Sequence, residues 1–438
     1  MQNVASGKIK NFKELAINDS RRVALEIAEA GLCAIDTGKV VRKFISKDEG
    51  RIVFGAGLTV EPLSNDKRIF FIGVGKCAYD AAVVVEEILG EKLTGGIVFD
   101  VNIPEENVLK RVRSFAGTHP FPSETNVAVS KEIVFLLSDL TENDLVIMAI
   151  SGGGSTLLCL PDRSQTCLDE KFIIEGLFES GATIQEINTV RKHLSTARGG
   201  FLAKHAYPAR VVSLIFSDVP GNDLGFISSG PTVEDKTTVE EAKVILDKYN
   251  VVNLTGSPVI LIETPKEDQY FKNVYNVIVV SNEIALKAME RRARELLFEA
   301  KIVTDTLSGE AREVGLLVAE SLRNVHKRSV LLYGGETTVK VKGSGLGGRN
   351  QELALSALSH LGFGELVVSF ATDGRDNGDY MGAIVDNVLK KEAEKLLLEP
   401  KEFLEKNDSS SFFKKTGGLL KSGYTGSNVS DLIIGIKF

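Results

Sequence analysis

The chain has 438 residues, 43% hydrophobic and 25% charged, with a formal charge of −7; the length exceeds what one core usually serves, and the composition argues against long disorder. The negative balance argues against a nucleic-acid binder, so an anionic ligand has to be met by a local cluster of cations. Four scattered cysteines without a C-x-x-C pair, no apolar run of membrane-spanning length and an N-terminus without a signal-peptide core leave a soluble, cytoplasmic protein as the expectation.

Residues 12–45 carry apolar positions at helical spacing (Leu25, Ala28, Leu32, Ile35) and predict one or two packed helices. From residue 68, short β-rich runs alternate with helical stretches: strands at 68–74, 95–100, 144–151 and 210–219, helices at 76–90, 124–139, 168–180 and 182–206. Runs this apolar are expected when helices cover both faces of a parallel sheet. A second series has strands at 276–281, 301–307, 328–335, 365–374 and 430–438, with helices at 283–299, 310–326 and 349–360. The least regular region, 235–275, holds the boundary, and the domains are set at 1–255 and 256–438. The fold class expected is α/β: two three-layer α/β/α domains with largely parallel sheets, the first Rossmann-like.

Ligands of such sheets bind outside the carboxyl ends of strands, and the polar loops of this chain follow strands. "RIFFIGVGKCAYDAA" (68–82) has two readings. Gly73-x-Gly75-x-x-Ala78 is a weak dinucleotide fingerprint, with Asp100 placed as its ribose-binding acid; alternatively the glycines only turn the chain and Lys76 is the functional cation. "SGGGSTLL" (151–158) offers the backbone N–H groups of Gly152, Gly153 and Gly154, with the hydroxyls of Ser151, Ser155 and Thr156, as an anion cradle at a helix start. In "FSDVPGNDLGFISSGPT" (216–232), Asp218 at a strand end suits Mg²⁺ or a turn cap, with Asn222 and Asp223 beside it.

The glycine-rich stretch from Gly334 to Gly348 contains Glu336 and leads into Arg349, Asn350, Gln351 and Glu352. A cation in the first turn of a helix is favoured only when an anion shares the site. "ATDGRDNGDY" (371–380) places Asp373, Asp376, Asn377 and Asp379 after another strand, as a second metal-proximal or nucleotide-contacting loop. The basic stretch 188–204 (Arg191, Lys192, His193, Arg198, Lys204) reads mainly as a solvated face, with His193 more often structural than catalytic. No Walker A motif occurs. The residues alone support phosphoryl transfer on a non-P-loop α/β scaffold.

The series "GVGKCA", "AGTHPFPSETN", "SGGGSTLL", "VRKHLSTARGG", "SDVPGNDLGFISSGPT", "GGETTVKVKGSGLGGRNQE", "ATDGRDN" and "GYTGSNVSDL" spans residues 73–432 and resembles the glycerate 2-kinase family, whose C-terminal part is the MOFRL domain. The resemblance implies ATP- and Mg²⁺-dependent conversion of D-glycerate to 2-phosphoglycerate and ADP, feeding lower glycolysis from branched Entner–Doudoroff degradation. It also implies that Lys76 and Arg349 are functional residues of an interdomain cleft. The candidate set is Lys76, Arg349 and Asp218 for catalysis. Ser151, Gly152, Gly153, Gly154, Ser155, Asn222, Asn350 and Glu336 are the candidates for binding substrate or phosphate, and Asp218 and Asp373 for metal. Two departures from the family pattern stand out, Arg198-Gly199-Gly200 in place of Lys-Gly-Gly and Asn377 in place of a common glycine. The rival readings are an NAD(P)H-dependent hydroxypyruvate reductase and a non-catalytic sugar-acid sensor. Partners expected are the small substrate and ATP, without nucleic acid or membrane, and a homodimer is an open option.

Overall fold

The computed structural model describes residues 7–48, 51–55, 58–60, 67–162, 164–251 and 259–438. The expected domain change at 255/256 and the first six residues of the N-terminus lie outside the described residues. Two compact units emerge: one is Val40–Val279, and the other joins Met1–Lys39 to Val280–Phe438. The two consecutive domains of the sequence reading are thus an interleaved pair, because the N-terminal helix packs with the second sheet.

The first unit contains a small antiparallel sheet of β1 (Ile45–Asp48), β2 (Arg51–Phe54) and β3 (Leu58–Val60), which no sequence pattern announced. Its main sheet is built from β4 (Ile69–Val74), β5 (Gly95–Asp100), β6 (Val112–Ala116), β7 (Leu145–Ser151), β8 (Arg210–Phe216) and β9 (Val274–Val280), in the order β6-β5-β4-β7-β8-β9. The four pairings among β4 to β8 are parallel, so their carboxyl ends share one edge. The order is that of a doubly wound sheet, whose switch point lies between β4 and β7.

Period-2 alternation decides the layers. Ile72, Val74, Ile97, Phe99, Val146 and Met148 are buried against helices Glu124–Ser138 and Phe201–Ala206. The opposite face carries helix Ala78–Leu89, so close that a Cβ on Gly73 would stand 3.0 Å from that of Ala78. The helix expected over 182–206 is two, Ile184–Lys192 and Phe201–Ala206. Gly199 and Gly200 break it, at φ 53° and 87°. β9 was expected to open the second sheet, yet it edges the first. The Asn276 amide clasps Thr232, donating to its carbonyl at 3.1 Å and accepting from its hydroxyl at 2.7 Å, and this ties the strand to the preceding loop.

The sheet of the second unit has β10 (Glu299–Leu307), β11 (Ser329–Gly335), β12 (Glu365–Ala371), β13 (Gly382–Asp386), β14 (Leu419–Leu420) and β15 (Asp431–Lys437), in the order β10-β11-β15-β12-β13-β14. Here the expectation of a largely parallel sheet needs correction. Only β10 and β11 pair in parallel, and the other four pairings are antiparallel. The loop 372–381 is too short to carry a parallel crossover, and β15 returns between β11 and β12 against both. Helices Ala311–Arg323 and Arg349–Leu358 cover one face with Leu331, Tyr333, Val367 and Ile433. Helices Asp19–Ala34 and Asn282–Glu295 lie on the other, where Gly31 abuts Met289 and faces Leu432. Arg21 fixes the N-terminal helix through a bidentate pair with Asp386, both bonds 2.8 Å.

Candidate active site

In the first unit, the carboxyl edge of the sheet gathers the loops after β4, β6, β7 and β8. Gly75 has φ +107°, and a Cβ there would run into the Ser151 carbonyl and hydroxyl. The turn is clasped to the loop after β7: Lys76 N–H donates to the Gly152 carbonyl at 3.0 Å, and Cys77 N–H to Ser151 Oγ at 3.3 Å. Tyr79 N–H donates to Asp100 Oδ2 at 3.1 Å. Asp100 is buried and also accepts from Val101 and Asn102, and burial pushes it up to about 6 against those bonds. The N–H groups and the acid that a dinucleotide would engage are therefore already bound within the protein.

The Gly-Gly-Gly loop is shaped by its neighbours. Ser151 is buried, its hydroxyl held between Val74 and Cys77, and Ser228 donates to its carbonyl at 2.6 Å. Gly152 lacks a Cβ where the Asp218 carboxylate lies, which puts that carboxylate directly against the loop. Gly153 has φ +89°, and a Cβ there would stand 3.5 Å from Lys76 Cγ and 3.6 Å from His119 Cδ2. The helix that follows is one turn, Gly154–Leu157. The expected cradle at a helix start thus has almost no helix dipole behind it, and cations must carry the charge stabilisation. Ser155 Oγ meets Ser229 Oγ at 2.9 Å. Ser228, Ser229 and Gly230 follow one another at left-handed φ of 52°, 59° and 57°, a strained run of a kind that clusters at functional sites. Asn222, also left-handed, lies on the turn Pro220–Asn222 after Asp218.

The basic stretch is not mainly a solvated face, although Lys204 is exposed. Arg198 is wholly buried and paired with Glu170 at 2.6 Å, and Lys192 is paired with Asp235 at 2.7 Å. His193 is buried as a structural residue, with Nδ1 2.9 Å from the Ile262 carbonyl. His119, in "AGTHPFPSETN", is not singled out by the sequence, and Arg191, in "VRKHLSTARGG", is grouped there with the solvated face although it is partly buried.

In the second unit, Arg349 donates through Nε to Asp431 Oδ2 at 2.6 Å and through Nη2 to Oδ1 at 3.1 Å, while Nη1 pairs with the exposed Glu336 at 2.7 Å. The anions that offset a first-turn cation are therefore these two carboxylates. Burial pushes Asp431 up to about 6, against the pull of Arg349. Asp376 caps the same helix by accepting from the N–H groups of Asn350 at 3.0 Å and Gln351 at 2.9 Å, and burial raises it as well.

Asn350 is buried with both ends of its amide engaged, to Asp431 at 2.9 Å and from Ser369 at 2.6 Å. The glycines at 343, 345 and 347 pack closely against the segment 406–409. Side chains there would collide with Lys406, Asp408 and Ser409. Asn377 takes φ 55°, which accounts for its standing where glycine is common. Asp431, the missed partner, lay inside "GYTGSNVSDL".

Among the described residues no group of three His, Cys, Asp or Glu side chains could hold a metal ion. Mg²⁺ needs less, one or two carboxylates completed by phosphate oxygens and water. Asp218 fits that role against Gly152, while Asp373 is partly exposed and accepts from Arg375 N–H at 3.0 Å.

A family model described as a domain of unknown function (DUF4147) matches residues 23–260, and one described as the MOFRL family matches 329–431. The chain is 36% identical over 427 residues to the D-glycerate 2-kinase of Thermotoga maritima, covering 95% of this chain and 98% of that one. It is 38% identical over 439 residues to the glycerate 2-kinase of Pyrococcus horikoshii, covering 95% and 97%. A crystal structure of glycerate kinase from Thermotoga maritima superimposes with a TM-score of 0.84 at 35% identity, covering 95% of this chain and 99% of that chain.

Proposed function

The chain belongs to the glycerate 2-kinase family, and from that premise we propose that it transfers the γ-phosphoryl group of ATP to the 2-hydroxyl of D-glycerate. The observation that favours this over a nicotinamide-dependent reductase is the fate of the first Gly-x-Gly turn. Its N–H groups and Asp100 are consumed by protein contacts, which leaves Lys76, not a pyrophosphate, as the point of the motif.

The protein's work in such a transfer is positioning and charge stabilisation. In the first unit Lys76 is assigned to neutralise charge that develops on the transferring phosphoryl, and in the second unit Arg349 is the candidate catalytic cation. Arg349 is aimed by Asp431, and Asn350 fixes Asp431 in turn. Gly152 to Ser155 and Asn222 receive phosphate oxygens. Asp218 would hold Mg²⁺, with Asp373 as the second candidate; such an ion would supply positive charge to offset that of the phosphates.

Purified protein with D-glycerate, ATP and Mg²⁺ should release ADP only when all three are present, with no NADH or NADPH oxidised by hydroxypyruvate. Coupling to enolase without phosphoglycerate mutase should give phosphoenolpyruvate directly. Signal only after mutase addition would reassign the product to the 3-phosphate, and nicotinamide oxidation without ADP would end the kinase reading.

A further inference from the structure

Helix Ile184–Lys192 begins at a Thr183–Glu186 capping box and ends with four basic residues nearby, three of which the fold commits: Lys192 to Asp235, Arg198 to Glu170, and His193 to Ile262. Arg191 is different. It is partly buried, and among the described residues its guanidinium makes no hydrogen bond or ion pair. Only its backbone is held, by Arg198 Nη1 donating to its carbonyl at 3.0 Å. Burial and the like charge of Arg198 lower it to about 10. Glu170 offsets part of this, but its carboxylate is hydrogen-bonded to Arg198, and an arriving anion would relieve the rest of the cost of keeping the cation from water.

Its position is fixed by the residue one turn earlier. Asn188 shares a helix face with Arg191, and its Oδ1 accepts from Ser229 Oγ at 2.8 Å; Ser229 Oγ in turn meets Ser155 Oγ of the glycine loop at 2.9 Å. On the same loop, the vacant Cβ position of Gly153 is 3.8 Å from His119 Nε2 and 3.5 Å from Lys76 Cγ. The His119 ring makes no hydrogen bond among the described residues, and partial burial, then Lys76 and Arg191, disfavour its protonation. The loop is thus flanked by a guanidinium without a hydrogen-bond partner among the described residues and by a neutral imidazole.

Building on the kinase reading, we propose that Arg191 and His119 form the pocket for the acid end of the substrate. Arg191 takes the carboxylate with its planar fork, and the imidazole accepts a hydrogen bond from the hydroxyl on the adjacent carbon. A 2-hydroxy acid presents an anion and a donor one carbon apart, the complement of this pair. Anchoring the carboxylate brings the 2-hydroxyl, not the 3-hydroxyl, to His119, so the pocket also decides which oxygen is phosphorylated.

The test uses the full-length protein. Arg191→Ala should raise KM for D-glycerate about 100-fold or more while KM for ATP stays within about 2-fold and the thermal melt is unchanged, and Arg191→Lys should recover part of the loss. The wild type should prefer D-glycerate to its uncharged amide, and Arg191→Ala should erase that preference. His119→Ala should lower kcat for D-glycerate more than it changes KM for ATP. A rise in KM for ATP alone, or a retained preference for the acid, would overturn the proposal. Calorimetry without nucleotide separates this from the kinase reading. A wild type that makes no ADP but binds D-glycerate or D-lactate, with binding lost in Arg191→Ala, keeps the pocket and discards the activity; binding of neither acid discards the pocket.

Discussion

Replacing Arg198 by Ala should destabilise the first unit strongly, and the size of the effect follows from its partner. Glu170 Oε1 accepts from Arg198 at 2.6 Å and Oε2 from the Cys159 thiol at 3.2 Å, with every group buried. Without the guanidinium, the stranded carboxylate must take up a proton to stay inside. For an ordinary glutamate that titrates near 4.3, neutralisation at pH 7 costs about 3.7 kcal/mol, at about 1.36 kcal/mol per pH unit. The figure falls within the roughly 3–5 kcal/mol expected when one partner of a buried pair is deleted.

For a unit of this size, that is a fall of about 7–15 °C in Tm. The sign of the pH dependence is diagnostic. In the variant the carboxyl is held protonated in the folded state, so its penalty is absent below about pH 4 and grows as pH rises towards 7. Glu170→Gln combined with Arg198→Met should recover most of the loss, since neither member of the pair is left as a stranded charge. The assay is urea unfolding at pH 5 and pH 7 for each variant. A loss under about 1 kcal/mol, or one that does not change with pH, would refute the reasoning.

Lys76→Ala should lower kcat/KM by about 10²-fold or more, as loss of a charge-stabilising contact in a desolvated site does, with an unchanged melt because the turn is clasped through its backbone; near-normal kinetics would show that the turn only bends the chain. Arg349→Lys should be nearly as damaging, since an ammonium cannot keep the two-bond grip on Asp431, and steady-state kinetics decides it. On acidification, Asp431 protonates near pH 6 and loosens Arg349, so kcat/KM should fall through that pH. Its raised folded value means that its own contribution to stability is present at low pH and lost as pH rises through about 6, so activity should disappear before the fold does, as parallel rate and circular dichroism titrations would reveal. Asp218→Asn should raise the Mg²⁺ concentration giving half-maximal rate by about 10-fold, with little change in Tm; an unaltered metal dependence would move the ion elsewhere.

What could be read from the sequence follows how local the determinants are. β4, β5, β7 and β8 declare themselves because both faces of the sheet are covered, leaving almost unbroken apolar runs. β1 exposes three of its four residues and β6 is half exposed, so neither pattern rises above that of a loop. Lys76, Gly152 to Ser155 and Asp218 were legible because parallel strands bring the loops that follow them to one edge. Asp431 was not. It opens β15, and only because that strand runs antiparallel between β11 and β12 does its first residue lie opposite Gly335 and Ala371, beside Arg349. Arg191 was hidden differently, since a charge run gives no sign of which cations the core will consume.

The interleaving of the two units has a consequence for biosynthesis. Helix Asp19–Ala34 buries Leu25, Ile27, Ala28 and Leu32 within a unit whose remainder runs from Val280 to Phe438. At about 5–20 residues per second, roughly 400 further residues take on the order of 20–80 seconds to emerge. During that interval the contiguous Val40–Val279 unit has everything it needs to fold, whereas the first helix has made its apolar stripe and has nowhere to put it. The nascent chain therefore carries an adhesive leader through most of its own translation, a natural binding site for a holdase, and synonymous changes that slow the ribosome beyond residue 280 should lower soluble yield more than the same changes placed earlier.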